Sequence, residues 1–317
     1  MDLLSDVLSL MKLSGTLYFR TSFTRPWGIR VPSFQNVSRF HFAHRGRCLV
    51  RIDPNEEPVQ LEKGDLVIIT RGVAHTLYCD TKSEMQALPL DQIVEKSGFT
   101  GSGTLVYGEA GTNLETQLVC GHFAFDQNAS HPLIDALPPY IHIQNYGESA
   151  GNWMENTLKI IGVEAGKNAQ GSELIALKMS EIIFTQALRT YLLTEGLERP
   201  VLAGFTEPRI SRALQAFHKN PGFGWTLESL ASTANLSRTA FVSIFNKCMV
   251  MPPMTYITQW RMQIARQMLL ETKTPIIDIA EKVGYQSEAA LTRVFKRYYD
   301  LPPATYRREH RLRYESS

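Results

Sequence analysis

Two histidines and a cysteine in the N-terminal half have side chains that could form a soft metal site or a reactive thiol. His41, His75 and Cys120 lie in or beside separate runs of β-forming residues, so closing a sheet into a barrel would bring them to one interior end. Such ligands suit zinc or copper, and imidazole beside a thiol favours a thiolate that reacts with oxidants. The alternatives are hydrogen-bonded core histidines with a buried thiol, or polar partners for an apolar small ligand. We therefore expect a sensing site here, with or without a metal.

Side chains in the C-terminal third have the types and spacing of a DNA-reading surface. Arg and Lys bond guanine, Asn bonds adenine, and Val or Ala packs on a thymine methyl group. The alternative is a solvated helix face, and many such positions contact only phosphate. The candidate base readers are Arg238, Thr239, Val242, Ser243 and Asn246, followed by Glu288, Ala289, Thr292, Arg293 and Lys296. The candidate phosphate contacts are Arg261, Arg266, Lys247, Arg297, Arg307 and Arg308.

These DNA-reading candidates lie in an internal repeat. Residues 227–256 align with residues 276–306 when one inserted residue is allowed at Gln286, and Pro-Pro-x-Thr-Tyr stands at the same distance after a phenylalanine in both copies. A repeat of this kind indicates a duplicated structural unit. The identical pairs are Ala231/Ala280, Ser237/Ser287, Ala240/Ala290, Phe245/Phe295, Pro252/Pro302, Pro253/Pro303, Thr255/Thr305 and Tyr256/Tyr306.

Each copy predicts a helix-turn-helix. Thr226 and Ser237 are suited to cap the two helices of the first copy, and Ser287 caps the second helix of the second copy. Apolar residues at helical spacing predict one connecting helix from Met254 to Leu270. Its length of roughly 25 Å is enough to set two recognition helices about one DNA turn, ~34 Å, apart.

The elements that precede the repeat are of two kinds. The first 135 or so residues contain short β-forming runs bounded by turn residues, which predict a sandwich or barrel. Helical spacing begins with Trp153, Met154, Thr157, Leu158 and Ile161, and a second helix follows from Ser172 to about Tyr191. The segment from Glu195 to Gly204 is the best linker candidate, because Gly ends a helix and Pro resists restarting one.

Charge divides the chain more sharply than its net charge of +2 suggests. Residues 201–317 hold 16 Lys and Arg against 9 Asp and Glu, whereas residues 1–200 hold 17 against 22. A basic C-terminal third favours a polyanionic partner such as nucleic acid. The four cysteines form no CxxC pair, which argues against a disulfide framework or a zinc ribbon. No apolar run is long enough for a membrane span and no secretory signal is evident, so we expect a cytoplasmic protein.

The C-terminal motifs resemble the DNA-binding domain of AraC/XylS-family transcriptional regulators over roughly 100 residues. The resemblance is carried by residues 229–238, 261–265 and 279–285, and by Phe295-Lys296-Arg297 with Pro302-Pro303-Ala304-Thr305-Tyr306-Arg307. Members of this family usually carry glycine where Val250 and Asp300 stand. Because Val is poor in a positive-φ helix end, we expect the first repeat to end its recognition helix differently.

The N-terminal half resembles a cupin-type sensor domain found on a subset of these regulators. The matching segments are residues 27–32, 40–42, 64–67 with 72–75, 118–123 and 133–138. Metal-dependent cupin enzymes generally present His-x-His, then Glu, then a further His. This chain has His41 and His44 and lacks the Glu, so the resemblance implies no catalytic iron or manganese centre.

We therefore predict an α+β protein with a cupin-like β-barrel at 1–150, coupling or dimerisation helices and a linker at 151–205, and an all-α domain with two helix-turn-helix units at 206–310. The predicted function is sequence-specific, double-stranded DNA-binding transcriptional regulation, without enzymatic activity and with no required cofactor. The expected partners are a small-molecule or reactive effector, RNA polymerase and a second copy of the chain. The rival hypotheses are a cupin enzyme, an isomerase or dioxygenase, with an accessory DNA-binding domain, and an architectural DNA binder.

Overall fold

The computed structural model describes residues 2–11, 14–35, 37–53, 57–101, 103–108, 115–125, 131–144, 156–157, 160, 164, 170–194, 205 and 207–314. Contacts divide the chain into two units. The sheet unit comprises residues 12–128 and 137–191, and the helical unit comprises residues 1–11, 129–136 and 192–317. The predicted linker from Glu195 to Gly204 lies outside the described residues, as does most of the helix predicted to begin at Trp153. None of the helices in the described ranges is both long and apolar enough to span a bilayer.

Two sheets form the sheet unit. The first has the strand order β11-β6-β3-β10-β1-β9 and the second β5-β4-β7-β2-β8. Neighbouring strands are antiparallel except for β1 with β9 and β2 with β8. The strands are β1 Ser14–Thr24, β2 Gly28–Val31, β3 Val37–Arg45, β4 Cys48–Ile52, β5 Val59–Leu61, β6 Leu66–Ile69, β7 His75–Tyr78, β8 Leu88–Pro89, β9 Thr104–Tyr107, β10 Glu115–Ala124 and β11 Tyr140–Ile143.

Side chains from both sheets share one apolar core. Phe23 and Val67 from the first sheet and Val50 and Leu77 from the second belong to the same buried cluster. In β4 the burial alternates, which is the pattern expected when one face of a strand covers a core. Every residue of β6 is buried, so this short aliphatic run lies in the interior on both faces.

A glycine fixes the chain just before β7. Gly72 has φ of +58°, and a Cβ atom there would lie 2.1 Å from the carbonyl oxygen of Phe34. Both conditions exclude other residues without rearrangement. The turn therefore sets where His75, the first residue of β7, enters the sheet.

Three helices accompany the sheets: α2 Thr81–Met85, α3 Leu90–Ser97 and α5 Ser172–Thr194. In α5, Phe184 is buried and its ring centroid lies 4.8 Å from that of Phe123 in β10. This contact fixes α5 on the face of β10 opposite Cys120, because successive strand residues alternate in direction.

The helical unit contains the remaining helices of the described ranges. They are α1 Leu3–Met11, α4 Pro132–Asp135, α6 Pro208–Lys219, α7 Leu227–Thr233, α8 Arg238–Met249, α9 Pro253–Glu271, α10 Ile276–Lys282, α11 Glu288–Tyr299 and α12 Pro303–Tyr314. The prediction of one long connecting helix is confirmed by α9, which has 19 residues.

The predicted helix caps are confirmed. Thr226 and Ser229 form a capping box at α7, Ser237 accepts from the Ala240 N–H at 3.2 Å, and Ser287 accepts from the Ala290 N–H at 3.2 Å. The turn residues at equivalent repeat positions, Asn235 and Gly284, both have positive φ. The two copies are therefore helix-turn-helix units with a left-handed residue at the same position of each turn.

The expectation that the first recognition helix ends differently is wrong. Val250 and Asp300 occupy equivalent positions, and both are left-handed, with φ of 53° and 59°. A left-handed valine costs about 1–2 kcal/mol, so the packing on either side must outweigh that strain. Val250 is exposed, so its side chain is not confined by the core.

Candidate functional site

The second helix of each helix-turn-helix carries a solvent-facing polar stripe. In α8 the stripe is Arg238, Thr239, Val242, Ser243 and Asn246, of which Val242 is half-buried and the others are exposed. Arg238 pairs with Glu228 at 3.2 Å, and an exposed pair of this kind is weak in water. A DNA phosphate or base can therefore compete for this guanidinium.

The equivalent stripe on α11 has the same character. Glu288, Ala289, Arg293 and Lys296 are exposed, and Thr292 is half-buried. The buried side of the same helix is formed by Leu291 and Phe295. All ten candidate base readers are accessible, and their contact with bases stays a prediction.

Three arginines predicted to meet phosphates are engaged within the protein. Arg261 donates from Nε to the Pro221 carbonyl oxygen at 2.9 Å and from Nη2 to the Phe223 carbonyl oxygen at 2.7 Å. Arg307 donates from Nη2 to the Thr274 carbonyl oxygen at 2.6 Å. For Arg266 the phosphate prediction is wrong, since it is 3% exposed and cannot reach a surface ligand. A DNA contact by Arg261 stays a prediction.

A buried polar network lies beneath the first helix-turn-helix. The Tyr256 hydroxyl in α9 lies 3.0 Å from His131 Nε2 and 2.9 Å from His218 Nε2. His218 Nδ1 lies 3.3 Å from Asp6 Oδ2, and its ring stacks on Trp260 at 3.7 Å. The network thus joins α1, the segment before α4, α6 and α9.

The proton positions in this network follow from its fixed partners. His131 Nδ1 accepts from the Leu133 N–H at 3.1 Å, so its Nε2–H must donate to Tyr256. The Tyr256 O–H then donates to His218 Nε2, and His218 Nδ1–H donates to Asp6. Each hydrogen of the chain is used once, which is the condition for a stable buried network.

Burial keeps both histidines of this network neutral. It lowers the pKa of His218 to about 3 and that of His131 well below the ordinary value, whereas it raises the pKa of Asp6. A histidine whose pKa is depressed by folding takes up its proton more readily when unfolded, so stability is lost as pH falls below about 6.5.

We expect the free energy of unfolding of the helical unit to fall between pH 7 and pH 5. Chemical denaturation at the two pH values measures the change. Exchange of His218 for glutamine should make this change with pH smaller, because one group that binds a proton on unfolding is removed. An equal pH dependence in parent and variant would contradict the assignment of the neutral histidine.

The three candidate sensing residues come together in the sheet unit. His41 in β3 and Cys120 in β10 are paired positions of the ladder, with His41 Nδ1 3.1 Å from Cys120 Sγ. His41 Nε2 lies 3.0 Å from His75 Nε2, and His75 Nδ1 lies 3.1 Å from the Val73 carbonyl oxygen. All three side chains are buried. The predicted convergence is therefore present.

This cluster is arranged as a hydrogen-bonded chain. His75 donates from Nδ1 to Val73, so its Nε2 accepts from His41 Nε2–H and His41 Nδ1 accepts from the Cys120 thiol. The two nitrogens of His41 face different partners, and no group of three or more His, Cys, Asp or Glu side chains in the described ranges is placed to hold a metal ion. The zinc or copper site stays a prediction, which requires His41 to turn.

The thiolate expected at Cys120 is not favoured in this environment. Burial raises the pKa of the Cys120 thiol far above its ordinary value, and Arg39 offsets only part of this rise. Burial also lowers the pKa of His75 to about 4 and that of His41 well below its ordinary value. A neutral thiol beside neutral imidazoles is the form that this interior stabilises.

A cavity of about 300 Å³ opens beside this cluster. Its walls are mostly aliphatic and aromatic, and its polar side chains are those of Thr21, Arg39, His41, Cys120 and His122. Pockets of this size and composition commonly hold small organic ligands. The predicted sensing residues thus form one end of a ligand-sized space.

Comparison with known proteins identifies the architecture. A family model described as Cupin matches residues 2–193, and a helix-turn-helix domain model matches residues 230–309. An AraC-like transcription regulator of Streptomyces lividans is 32% identical over 312 residues, which cover 97% of this chain and 98% of that protein. The chain belongs to the AraC family of transcriptional regulators and carries an N-terminal cupin domain.

Two further matches extend the comparison. The HTH-type transcriptional regulator AlkR of Acinetobacter baylyi is 30% identical over 311 residues, which cover 98% of this chain and 100% of that protein. The C-terminal domain of AraT, a response regulator from Geobacillus stearothermophilus, is 32% identical, with a TM-score of 0.31 over 32% of this chain and 85% of that chain. The curated relatives are transcriptional regulators, and the rival hypothesis of a cupin enzyme finds no support among them.

Sequence reasoning missed two features of this AraC-family regulator. The first is the network of Asp6, His131 and His218 around Tyr256; only Tyr256, as an identical repeat position, carried a signal. The second is Arg39, whose cavity position could have been inferred from its even spacing with His41 in one strand. The contacts of Asp6, His131 and His218 join residues that are far apart in the sequence, and local spacing does not reveal such contacts.

Proposed function

We propose that this regulator reads base sequence through the exposed stripes of α8 and α11 and responds to an effector held in the cupin domain. Two accessible polar stripes at equivalent places in duplicated helix-turn-helix units are the observation that supports the proposal. Each stripe includes donors that can bond base edges, and the flanking Lys247 and Arg297 are exposed and free to approach phosphate. Such a protein acts where promoter DNA is, in the cytoplasm.

Exchange of Arg293 for alanine should relax base preference at one position of the operator by about 1–3 kcal/mol, because a bidentate contact with guanine is lost. Selection from a randomised DNA pool at fixed salt measures the preference. Arg297→Ala is the matched control, since it removes the same charge from the same helix and should weaken all sequences alike. A uniform loss for Arg293→Ala as well would make that residue a phosphate contact.

We further propose that the regulator acts as a homodimer through α5. In α5, Ile183 and Leu188 are buried, whereas Ile175 and Ile182 are exposed together with Leu174. Ile175 and Ile182 are seven residues apart and so share a helix face. A second copy is the simplest cover for such a face, because isologous dimers are the commonest assembly.

Exchange of Ile182 for glutamate should weaken this dimer at least tenfold, because a charge would be buried without a partner. Sedimentation velocity at micromolar concentration measures the association. Met85→Glu, at a side chain that is 94% exposed on α2, adds the same charge elsewhere and should leave the dimer intact. A monomeric parent protein, with or without DNA, would refute the proposal.

The effector itself is proposed to act from the cavity beside His41, His75 and Cys120. Binding can change promoter occupancy or the recruitment of RNA polymerase only if the effector has different affinities for two states of the protein. A metal or a reactive species stays an alternative signal. It would require His41 to leave one partner or the Cys120 thiol to lose its proton, and both cost free energy in this buried site.

A further inference from the structure

The cavity of the cupin domain is apolar on nearly every side. Phe19 and Phe23 of β1, Ile29 of β2, Leu77 of β7, Leu105 of β9 and Leu118 of β10 line it. No acidic side chain is among its lining residues in the described part of the chain. Its occupant must therefore have a large apolar body.

A permanent cation faces this apolar space. Arg39 of β3 lines the cavity, and its guanidinium carbon lies 4.3 Å from the centroid of the Phe34 ring. Its Nε is buried and has no hydrogen-bond partner among the described residues. An arginine keeps its charge even where burial lowers its pKa, as it does here. The Arg39 side chain is half-buried as a whole, and no acidic side chain among the described lining residues of the cavity neutralises its charge.

The other polar side chains of the cavity do not supply a counter-charge. His41 and Cys120 satisfy each other within the hydrogen-bonded chain, and burial lowers the pKa of His122. A partly desolvated charge without a partner is costly, and a bound carboxylate lowers that cost through charge-assisted hydrogen bonds with the guanidinium. An anionic ligand head is the partner that this guanidinium favours.

We propose that the cavity binds an amphipathic organic monoanion, a carboxylate on an apolar chain or ring, with Arg39 donating to the carboxylate. The apolar walls hold the body of the ligand, and Arg39 selects the charged head. A ligand of this class is the effector of the sensing function proposed above, and only this regulatory role rests on that proposed function. Arg39 is the residue that makes the cavity prefer an anion over an uncharged ligand of the same length.

The test is calorimetric titration of the full-length protein with straight-chain carboxylates from hexanoate to dodecanoate, each below its micelle concentration, and with the primary alcohols of equal length. We expect at least one acid of the series to bind at least tenfold more tightly than its alcohol. Arg39→Gln should abolish this preference and leave alcohol binding unchanged. Arg30→Gln is the matched control, because Arg30 lies between Ile29 and Val31 of β2 and is exposed.

The outcomes are distinguishable. Equal binding of acid and alcohol, binding of no acid in the series, or a retained preference in Arg39→Gln would overturn the inference. If Arg39→Gln does not fold, Arg39→Lys decides, because it keeps the charge and should keep the preference for the acid. Operator affinity is then measured with and without the tightest acid. Arg39-dependent binding that leaves operator affinity unchanged would refute the sensing function while supporting the ligand assignment.

Discussion

Exchange of Tyr256 for phenylalanine should lower the free energy of unfolding of the helical unit by about 2–4 kcal/mol. The ring and its packing are kept, but the hydroxyl that serves both His131 and His218 is lost. One buried donor and one buried acceptor are left without a partner, and each such group costs about 1–3 kcal/mol. Denaturant unfolding followed by circular dichroism measures the change.

The repeat supplies a matched control for this exchange. Tyr306 is the equivalent residue of the second copy, is 3% exposed, and its hydroxyl has no hydrogen-bond partner among the described residues. Tyr306→Phe should therefore be neutral or slightly stabilising, because it removes a buried hydroxyl that is not satisfied. Equal destabilisation by both exchanges would show that ring packing, and not the network, accounts for the effect.

Exchange of Phe295 for alanine should destabilise the helical unit by about 3–5 kcal/mol. Phe295 is fully buried in the core of the second helix-turn-helix, where its ring meets Tyr299 at 4.6 Å and Tyr306 at 5.4 Å. Loss of a buried phenylalanine removes its transfer free energy and leaves a cavity. Because α11 carries both Phe295 and the DNA-reading stripe, operator affinity should fall together with stability.

The neighbouring Lys296→Ala exchange separates the two effects. Lys296 is exposed, so its loss should leave the free energy of unfolding within about 0.5 kcal/mol of the parent value and weaken DNA binding alone. Thermal and denaturant unfolding measure stability, and fluorescence anisotropy with operator DNA measures affinity. A Phe295→Ala protein with unchanged stability would contradict the assigned core.

The helix-turn-helix units were predictable from sequence because their information is local. Caps such as Ser237 and Ser287 stand a few residues from the N–H groups that they bind, and the repeat shows the pattern twice. The left-handed ending at Val250 was predicted wrongly, because local preference disfavours it and only the surrounding packing imposes it. The equivalence of Val250 and Asp300 in the repeat predicts the same helix ending in both copies, as observed.

The sensing residues were predictable as a group, and their chemistry was not. Strand alternation and register bring His41 beside Cys120, and both are readable from a β pattern. The protonation of the thiol depends on burial from every side, which no local pattern reports. The same holds for Arg39, because no local pattern reports that the described lining residues of the cavity include no acidic partner for it.

The discontinuity of the helical unit has a consequence for synthesis. Residues 3–11 leave the ribosome early, yet their partner His218 in α6 is made more than 200 residues later. At about 5–20 residues per second, the wait is roughly 10–40 s. During that time Leu3, Val7 and Met11, which are buried in the finished protein, have no core to enter. The sheet unit can close meanwhile, so a segment synthesised early is among the last to reach its native place.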